Sequence, residues 1–262
     1  MFPAELTPVT NWPLYVYRVF VKWFSFFFFG FSSPILGIIL LPLMRLFCRP
    51  KDRFKKAGRR LASSAINFFV NLMHFIGIVD LEAGDREFYR NLQSKIVVAN
   101  HPSLLDTIML LALIPNADFI VAAYHNNPVL RGIVSQLYIL SSLDFNEIIK
   151  ASSESLAQGN CLVIFPEGTR TPRYGKNILK KGAVRLAMET GCPVLPLHIG
   201  GTDKYGLGKK DPWIAFNPTE RYVYRISIGE EIYPEKYKHL SKPAAVRAMT
   251  REMSAYLFPA EN

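Results

Sequence analysis

The sequence predicts an α/β domain with a mixed, largely parallel central sheet flanked by helices, joined to an N-terminal hydrophobic helical membrane anchor. Three features carry that expectation. From about residue 80 onward, short apolar runs alternate with amphipathic segments of helix length, the rhythm of strand–helix–strand units. Residues 23–44 contain no charge at all, a run long enough to cross the hydrocarbon core of a bilayer. A cationic cluster follows at once, Arg45, Arg49, Lys51, Arg53, Lys55, Lys56, Arg59 and Arg60, an arrangement that favours a cytoplasmic location and contact with anionic headgroups.

Within the apolar run, Gly30, Ser32, Ser33 and Pro34 interrupt the middle and Pro42 lies near the end. A single kinked span and a pair of short helices dipping into one leaflet both fit that pattern. Residues 61–79 place Phe68, Phe69, Leu72, Phe75 and Ile76 at three-and-four spacing, which predicts a helix with one apolar side. Strands are predicted at 95–99, 118–123, 161–165, 194–199 and 222–228, the last with Tyr222, Tyr224, Ile226 and Ile228 on one face. Helices are predicted at 104–113, 128–137 and 147–157, and another runs from Gly182 to Gly191 with Pro193 just beyond. A closing helix from Pro243 aligns Val246, Met249, Met253, Tyr256 and Leu257 before Pro259. The expected division is residues 1–60 for the anchoring helices with their basic flank and residues 61–262 for the α/β domain.

The net charge is +10, from 31 Lys and Arg against 21 Asp and Glu, and 50% of the 262 residues are hydrophobic. That apolar content supports a folded core and excludes intrinsic disorder, while the charge calls for an anionic partner: nucleic acid, a phosphorylated substrate or acidic lipid. Nucleic acid is set aside, because the basic residues gather beside the apolar run and no nucleic-acid reading motif is present. Cys48, Cys161 and Cys192 are odd in number and widely spaced, which argues against a disulfide framework and for a reducing compartment. His74, His125, His198 and His239 are scattered, so no metal site is expected. The sequence has neither the nucleophile elbow of serine hydrolases, nor a zinc-binding His-Glu-x-x-His helix, nor a phosphate-cradling P-loop.

Two segments can do chemistry. Asn100, His101, Pro102, Ser103, Leu104, Leu105 and Asp106 follow the predicted strand at 95–99. Pro102 suits the first position of a helix, which puts His101 at a strand-to-helix turn on the carboxyl edge of the sheet, where open α/β sheets bind ligands. Asp106, five residues on, is close enough to accept the imidazole Nδ1–H and leave Nε2 free to take a proton from an alcohol. In the second segment, Glu167, Gly168, Thr169 and Arg170 follow the predicted strand at 161–165. Gly168 lets the backbone approach a ligand, Thr169 offers a hydroxyl, and Arg170 presents a fork suited to phosphate, with Lys180 and Lys181 adding positive charge near the same edge. Backbone N–H groups near Gly168 or just after Pro102 are the expected donors to an oxyanion.

On three blocks, NHPSLLD at 100–106, FPEGTR at 165–170 and VLPLHI at 194–199, the sequence resembles the glycerophospholipid and lysophospholipid acyltransferases, most of all the branch containing 1-acylglycerol-3-phosphate acyltransferases. The likeness spans roughly residues 80–230. It implies transfer of a fatty acyl chain from acyl-CoA or acyl carrier protein to the hydroxyl of a lysophospholipid-like acceptor in membrane lipid synthesis, with no cofactor besides the thioester donor. By the same resemblance His101 is the general base and Asp106 its orienting partner. Ser103, Glu167, Gly168, Thr169, Arg170 and Lys181 fall to substrate binding, Pro196 lies in a fourth family block, and the N-terminal helices hold the site against the cytoplasmic side of the membrane.

One departure from the family pattern bears on the acceptor. Many members carry a Lys after the strand that here reads DFIVAAY, and an Asp-Arg pair where this chain has Asp144, Phe145 and Asn146. Ala122, Ala123 and Phe145 have no side chain that binds phosphate. Acceptors such as an aminoacyl lipid, a glycolipid or another lyso-lipid therefore stay open beside lysophosphatidic acid, and Arg131 is the one nearby candidate for a compensating cation. The rival expectation is a non-catalytic peripheral membrane protein that binds anionic lipid.

Overall fold

Asn11 starts the first helix, its side chain accepting Leu14 N–H at 3.0 Å, and Pro13 occupies the first turn, where a missing N–H costs nothing. In this computed structural model, which describes residues 6, 8–121, 128–175 and 177–259, helix α1 (Trp12–Pro34) passes into a π-helical segment (Ile35–Leu40) and then α2 (Leu41–Phe47). The interruption at residues 30–34 thus yields one continuous helical run of 36 residues, with a mean hydropathy of 2.1 in its most apolar window. The proline is accommodated by a widened turn instead of a break.

Helix α3 (Lys51–Phe75) runs across residue 60, where the sequence placed a boundary. Its inner face buries Phe54, Ala62, Phe69, Val70 and Met73, and Phe69 stacks on Phe28 and packs at a tilt against Phe29 of α1, at 6.2 and 5.4 Å. The N-terminal helices and the sheet domain therefore share a core.

The sheet comprises β1 (Val79–Glu82), β2 (Ile96–Ala99), β3 (Ala117–Val121), β4 (Ile139–Leu140), β5 (Cys161–Ile164), β6 (Val194–Gly201) and β7 (Tyr222–Ile228) in the order β1-β7-β6-β2-β5-β3-β4. Every neighbouring pair is parallel except β6 and β7, which are antiparallel. The remaining helices are α4 (Arg86–Asn91), α5 (Asp106–Leu113), α6 (Pro128–Leu137), α7 (Phe145–Ala157), α8 (Gly182–Thr190) and α9 (Lys242–Leu257). Val97, Ala99, Met109, Val163 and Tyr224 are buried on one side of the sheet with α3 and α5, and Ile96, Val98, Leu162, Val184 and Met249 on the other with α8 and α9. Strands covered on both faces read as unbroken apolar runs, which is why the segments at 95–99 and 161–165 stood out.

Three differences from expectation have physical causes. Strands β1 and β4 and helix α4 are too short to show a hydrophobic period. Helix α5 begins at Asp106, leaving Pro102 in the preceding loop, because the Asp106 carboxylate turns back to accept Ser103 N–H at 2.7 Å. Arg59, grouped with the headgroup-facing cations, is buried and paired with Asp118. The strand expected at 118–123 is described to Val121; Ala122, Ala123 and His125 lie outside the described residues.

Candidate active site

Strands β2 and β5 are parallel neighbours, so the loops leaving their carboxyl ends emerge side by side. The two chemically active segments meet there. The His101 ring stacks on Phe165 with centroids 4.2 Å apart, His101 N–H donates to Glu167 Oε1 at 2.9 Å, and Thr171 N–H donates to the His101 carbonyl at 2.7 Å. Asn100, which precedes the histidine, locks the end of β2 to β6 by donating to the Ile199 carbonyl at 3.0 Å and accepting Ile199 N–H at 2.6 Å.

His101 Nδ1 lies 2.8 Å from Asp106 Oδ2. The imidazole is 19% exposed and the carboxylate 0%, so the carboxylate acts on the ring from a site without water. Asp106 Oδ2 also accepts Ser103 N–H, and Oδ1 accepts the Ser103 hydroxyl at 2.5 Å. With its proton given to Asp106, Ser103 Oγ accepts from the Tyr224 hydroxyl 2.7 Å away. These donors fix the carboxylate, which in turn fixes the Nδ1–H tautomer and leaves Nε2, the atom without a protein partner among the described residues, as the acceptor.

Beneath this chain lies Lys204, a residue that no sequence motif singles out. It is buried, donates to the carbonyls of Gly200, Thr202 and Val223, and lies 4.8 Å from the Tyr224 ring centroid. Burial pushes its ammonium down to about 8, against an opposing pull from Asp106, and burial also raises the Tyr224 phenol well above its ordinary value. Nothing local in the sequence marks Tyr224 either; only the antiparallel return of β7 beside β6 brings it under Ser103.

The residues expected to bind substrate divide into two groups. Ser103 and Glu167 face inward. Ser103 is fully buried and its hydroxyl is spent on Asp106 and Tyr224. Both Glu167 oxygens are occupied, Oε1 by His101 N–H and the Thr171 hydroxyl and Oε2 by the Asn177 amide at 2.7 Å. Each therefore has its polar atoms engaged in holding the two loops together. Gly168, Thr169 and Lys181 are exposed. Gly168 has a φ of 66°, a left-handed conformation that favours glycine, and the Lys180 ammonium packs close over it. Arg170 gives NH1 to the carbonyls of Leu207 and Gly208 at 2.9 and 2.8 Å, while its NH2 and Nε have no partner among the described residues.

Several of the expected oxyanion donors are engaged within the protein. Gly168 N–H bonds the Phe165 carbonyl and Leu104 N–H the Leu207 carbonyl, while Ser103 and Leu105 N–H are taken by Asp106 and Ser103 Oγ. Phe145, where the family pattern has a cation, is the first residue of α7; Asp144 caps that helix in a reciprocal pairing with Glu147, which explains the Asp-Phe-Asn sequence locally. Arg131 is an exposed residue of α6.

The profile of the Acyltransferase family matches residues 81–200, which contain both loops. The chain carries an acyltransferase domain. It is 29% identical to the chloroplastic 1-acyl-sn-glycerol-3-phosphate acyltransferase BAT2 of Brassica napus over 67% of this chain and 52% of that protein. It is 25% identical to a probable 1-acyl-sn-glycerol-3-phosphate acyltransferase of Mycoplasma pneumoniae over 78% of each. The chain thus spans about half the length of the Brassica napus relative. The acyltransferase fold is shared with the crystal structure of the 1-acyl-sn-glycerophosphate (LPA) acyltransferase PlsC from Thermotoga maritima, with a TM-score of 0.65, 21% identity, and coverage of 92% of this chain and 96% of that one.

Proposed function

We propose that this acyltransferase domain transfers a fatty acyl chain from acyl-CoA or acyl carrier protein to the hydroxyl of 1-acyl-sn-glycerol-3-phosphate or a related lyso-lipid, with His101 as general base. The observation that carries the reading is the buried Asp106 carboxylate holding His101 Nδ1 at 2.8 Å while the ring rests on Phe165 of the neighbouring loop. Nε2 removes the proton from the acceptor hydroxyl as its oxygen attacks the thioester carbonyl. The C–O bond forms, the C–S bond breaks, and the imidazolium returns the proton to the departing thiolate, so no acyl-enzyme is needed. Thr169 and Arg170 N–H groups, without hydrogen-bond partners among the described residues, are the donors for the developing oxyanion. Arg170 NH2 and Nε, with Lys180 and Lys181, meet the phosphate of acceptor or carrier. The run from Trp12 to Phe47 keeps the domain at the membrane, where both lipid substrate and product reside.

His101→Ala should abolish transfer from radiolabelled acyl-CoA or acyl carrier protein to a panel of lyso-lipids while leaving liposome binding intact. Equal transfer by variant and parent would remove His101 from the mechanism. Absence of transfer by the parent across the whole panel, with lipid binding retained, would favour the non-catalytic lipid-binding reading.

Tyr224→Phe should act more subtly. Without the phenol as donor, the Ser103 hydroxyl becomes a weaker partner for Asp106 Oδ1. The dyad is held less firmly in its working geometry, so kcat/KM should fall, by about tenfold at most, with KM nearly unchanged. A variant with the kcat/KM of the parent would contradict the relay.

A further inference from the structure

A second apolar surface lies beside α1, on the loop between β6 and β7. Trp213 and Ile214 are 61% and 71% exposed, an unusual fate for two large apolar side chains in succession. They are not on a loose loop. The Lys22 ammonium, buried on the inner face of α1, donates to the carbonyls of Trp213, at 2.7 Å, and Ala215. Asp211 Oδ2 accepts Gly206 and Gly208 N–H at 3.0 and 3.1 Å, Ala215 N–H closes back on the Pro212 carbonyl at 3.0 Å, and Phe216 is fully buried with its ring 4.1 Å from that of Tyr222. Burying a lysine to hold a loop in the one shape that turns Trp213 and Ile214 outward is costly in water and becomes favourable if those side chains meet hydrocarbon.

What they meet is indicated by their neighbours. Trp12, Val16, Phe20, Trp23, Phe27 and Phe31 form an exposed stripe along α1 at three-and-four spacing, and Ile214 lines one groove with Val16, Phe20 and Trp23. Trp213 makes an edge contact with Phe26, the centroids 6.3 Å apart. The loop tip and the helix stripe thus make a single apolar surface, flanked by Lys209 and Lys210, and apolar surface of that extent with a cationic margin matches an anionic bilayer. We infer that residues 209–214 form a membrane-inserting wedge: Trp213 and Ile214 enter the same leaflet as the α1 stripe while the two lysines meet acidic headgroups. Because the same loop gives its Leu207 and Gly208 carbonyls to Arg170, the wedge sets the height of the candidate active site above the lipid surface.

The inference rests on α1 lying in lipid, and the test separates the two. The full chain is reconstituted in vesicles of phosphatidylcholine and phosphatidylglycerol as two single-tryptophan variants, Trp12→Phe/Trp23→Phe, which keeps Trp213, and Trp12→Phe/Trp213→Phe, which keeps Trp23. Lipids brominated along their acyl chains should quench most of the emission of both, and aqueous iodide should quench neither. If Trp23 is quenched by brominated lipid while Trp213 responds only to iodide, the wedge is wrong and the α1 anchor stands. If neither tryptophan responds to brominated lipid, both fall.

Discussion

Asp106→Asn should lower kcat about 10³- to 10⁴-fold while leaving KM for both substrates nearly unchanged. The substitution conserves shape, so its effect is one of charge and hydrogen-bond polarity. Three donors converge on the carboxylate: the His101 ring at 2.8 Å, Ser103 N–H at 2.7 Å and the Ser103 hydroxyl at 2.5 Å. An amide has one acceptor atom, so its NH2 must face one side of this arrangement. If the amide oxygen keeps His101 and Ser103 N–H, the NH2 points at the Ser103 hydroxyl, which must then accept from it and turn its own proton toward Tyr224. If it turns the other way, the NH2 opposes Ser103 N–H and drives the imidazole to the tautomer with its proton on Nε2. That ring cannot act as a base, and in either orientation the charge that stabilises the imidazolium is gone. Initial rates measured beside a thermal melt of each protein make the check. A variant that keeps more than about one tenth of the parent activity, within the range of an ordinary perturbed hydrogen bond, would end the case for the dyad.

Much of this arrangement is readable in the sequence, and the parts that are not share a cause. Strands 95–99 and 161–165 announce themselves because they are buried on both faces, and His101, Asp106 and the 165–170 loop follow directly from their ends. Local sequence also marks the cap at Gly191, which takes a left-handed conformation with φ 70°. What escapes is set by tertiary contact. Arg59 looks like one more cation in a basic run, and only Asp118 on β3, a residue far along the chain, turns it inward. Ser103 and Glu167 are polar residues in motifs that face a ligand, yet their atoms are consumed in holding the loops together. Tyr224 and Lys204 carry no motif, and their place under the dyad depends on the pairing of β6 with β7. A sequence pattern identifies which loops meet at a sheet edge; it does not say which of their polar groups point out.

Asp118→Ala should cost more folding stability than any of the active-site substitutions His101→Ala, Asp106→Asn and Tyr224→Phe. Arg59 and Asp118 are 3% and 1% exposed and joined directly; Arg59 Nε also donates to the Leu137 carbonyl at 3.2 Å and the Ser155 hydroxyl to Asp118 Oδ2 at 2.7 Å. Burial pushes the Asp118 carboxyl up, and the guanidinium opposes that push. Removing the carboxylate strands the guanidinium in a dry site, a penalty of about 3–5 kcal/mol, which for a domain of this size lowers Tm by roughly 6–20 °C. The attraction within the pair mainly offsets the cost of drying two charges, so replacing both at once with apolar residues of similar volume, Arg59→Met/Asp118→Leu, should recover most of the loss. The pair ties α3, which continues from the apolar run, to the sheet at β3, so the single variant should also loosen the docking of the N-terminal helices and expose the bond after Arg60 to trypsin. Thermal melts and limited proteolysis of the parent, the single variants Asp118→Ala and Arg59→Met, and the double variant decide the matter. A single variant that melts within about 2 °C of the parent, or a double variant no better than the single ones, would show that the pair does not fasten α3 to the sheet in the way its burial requires.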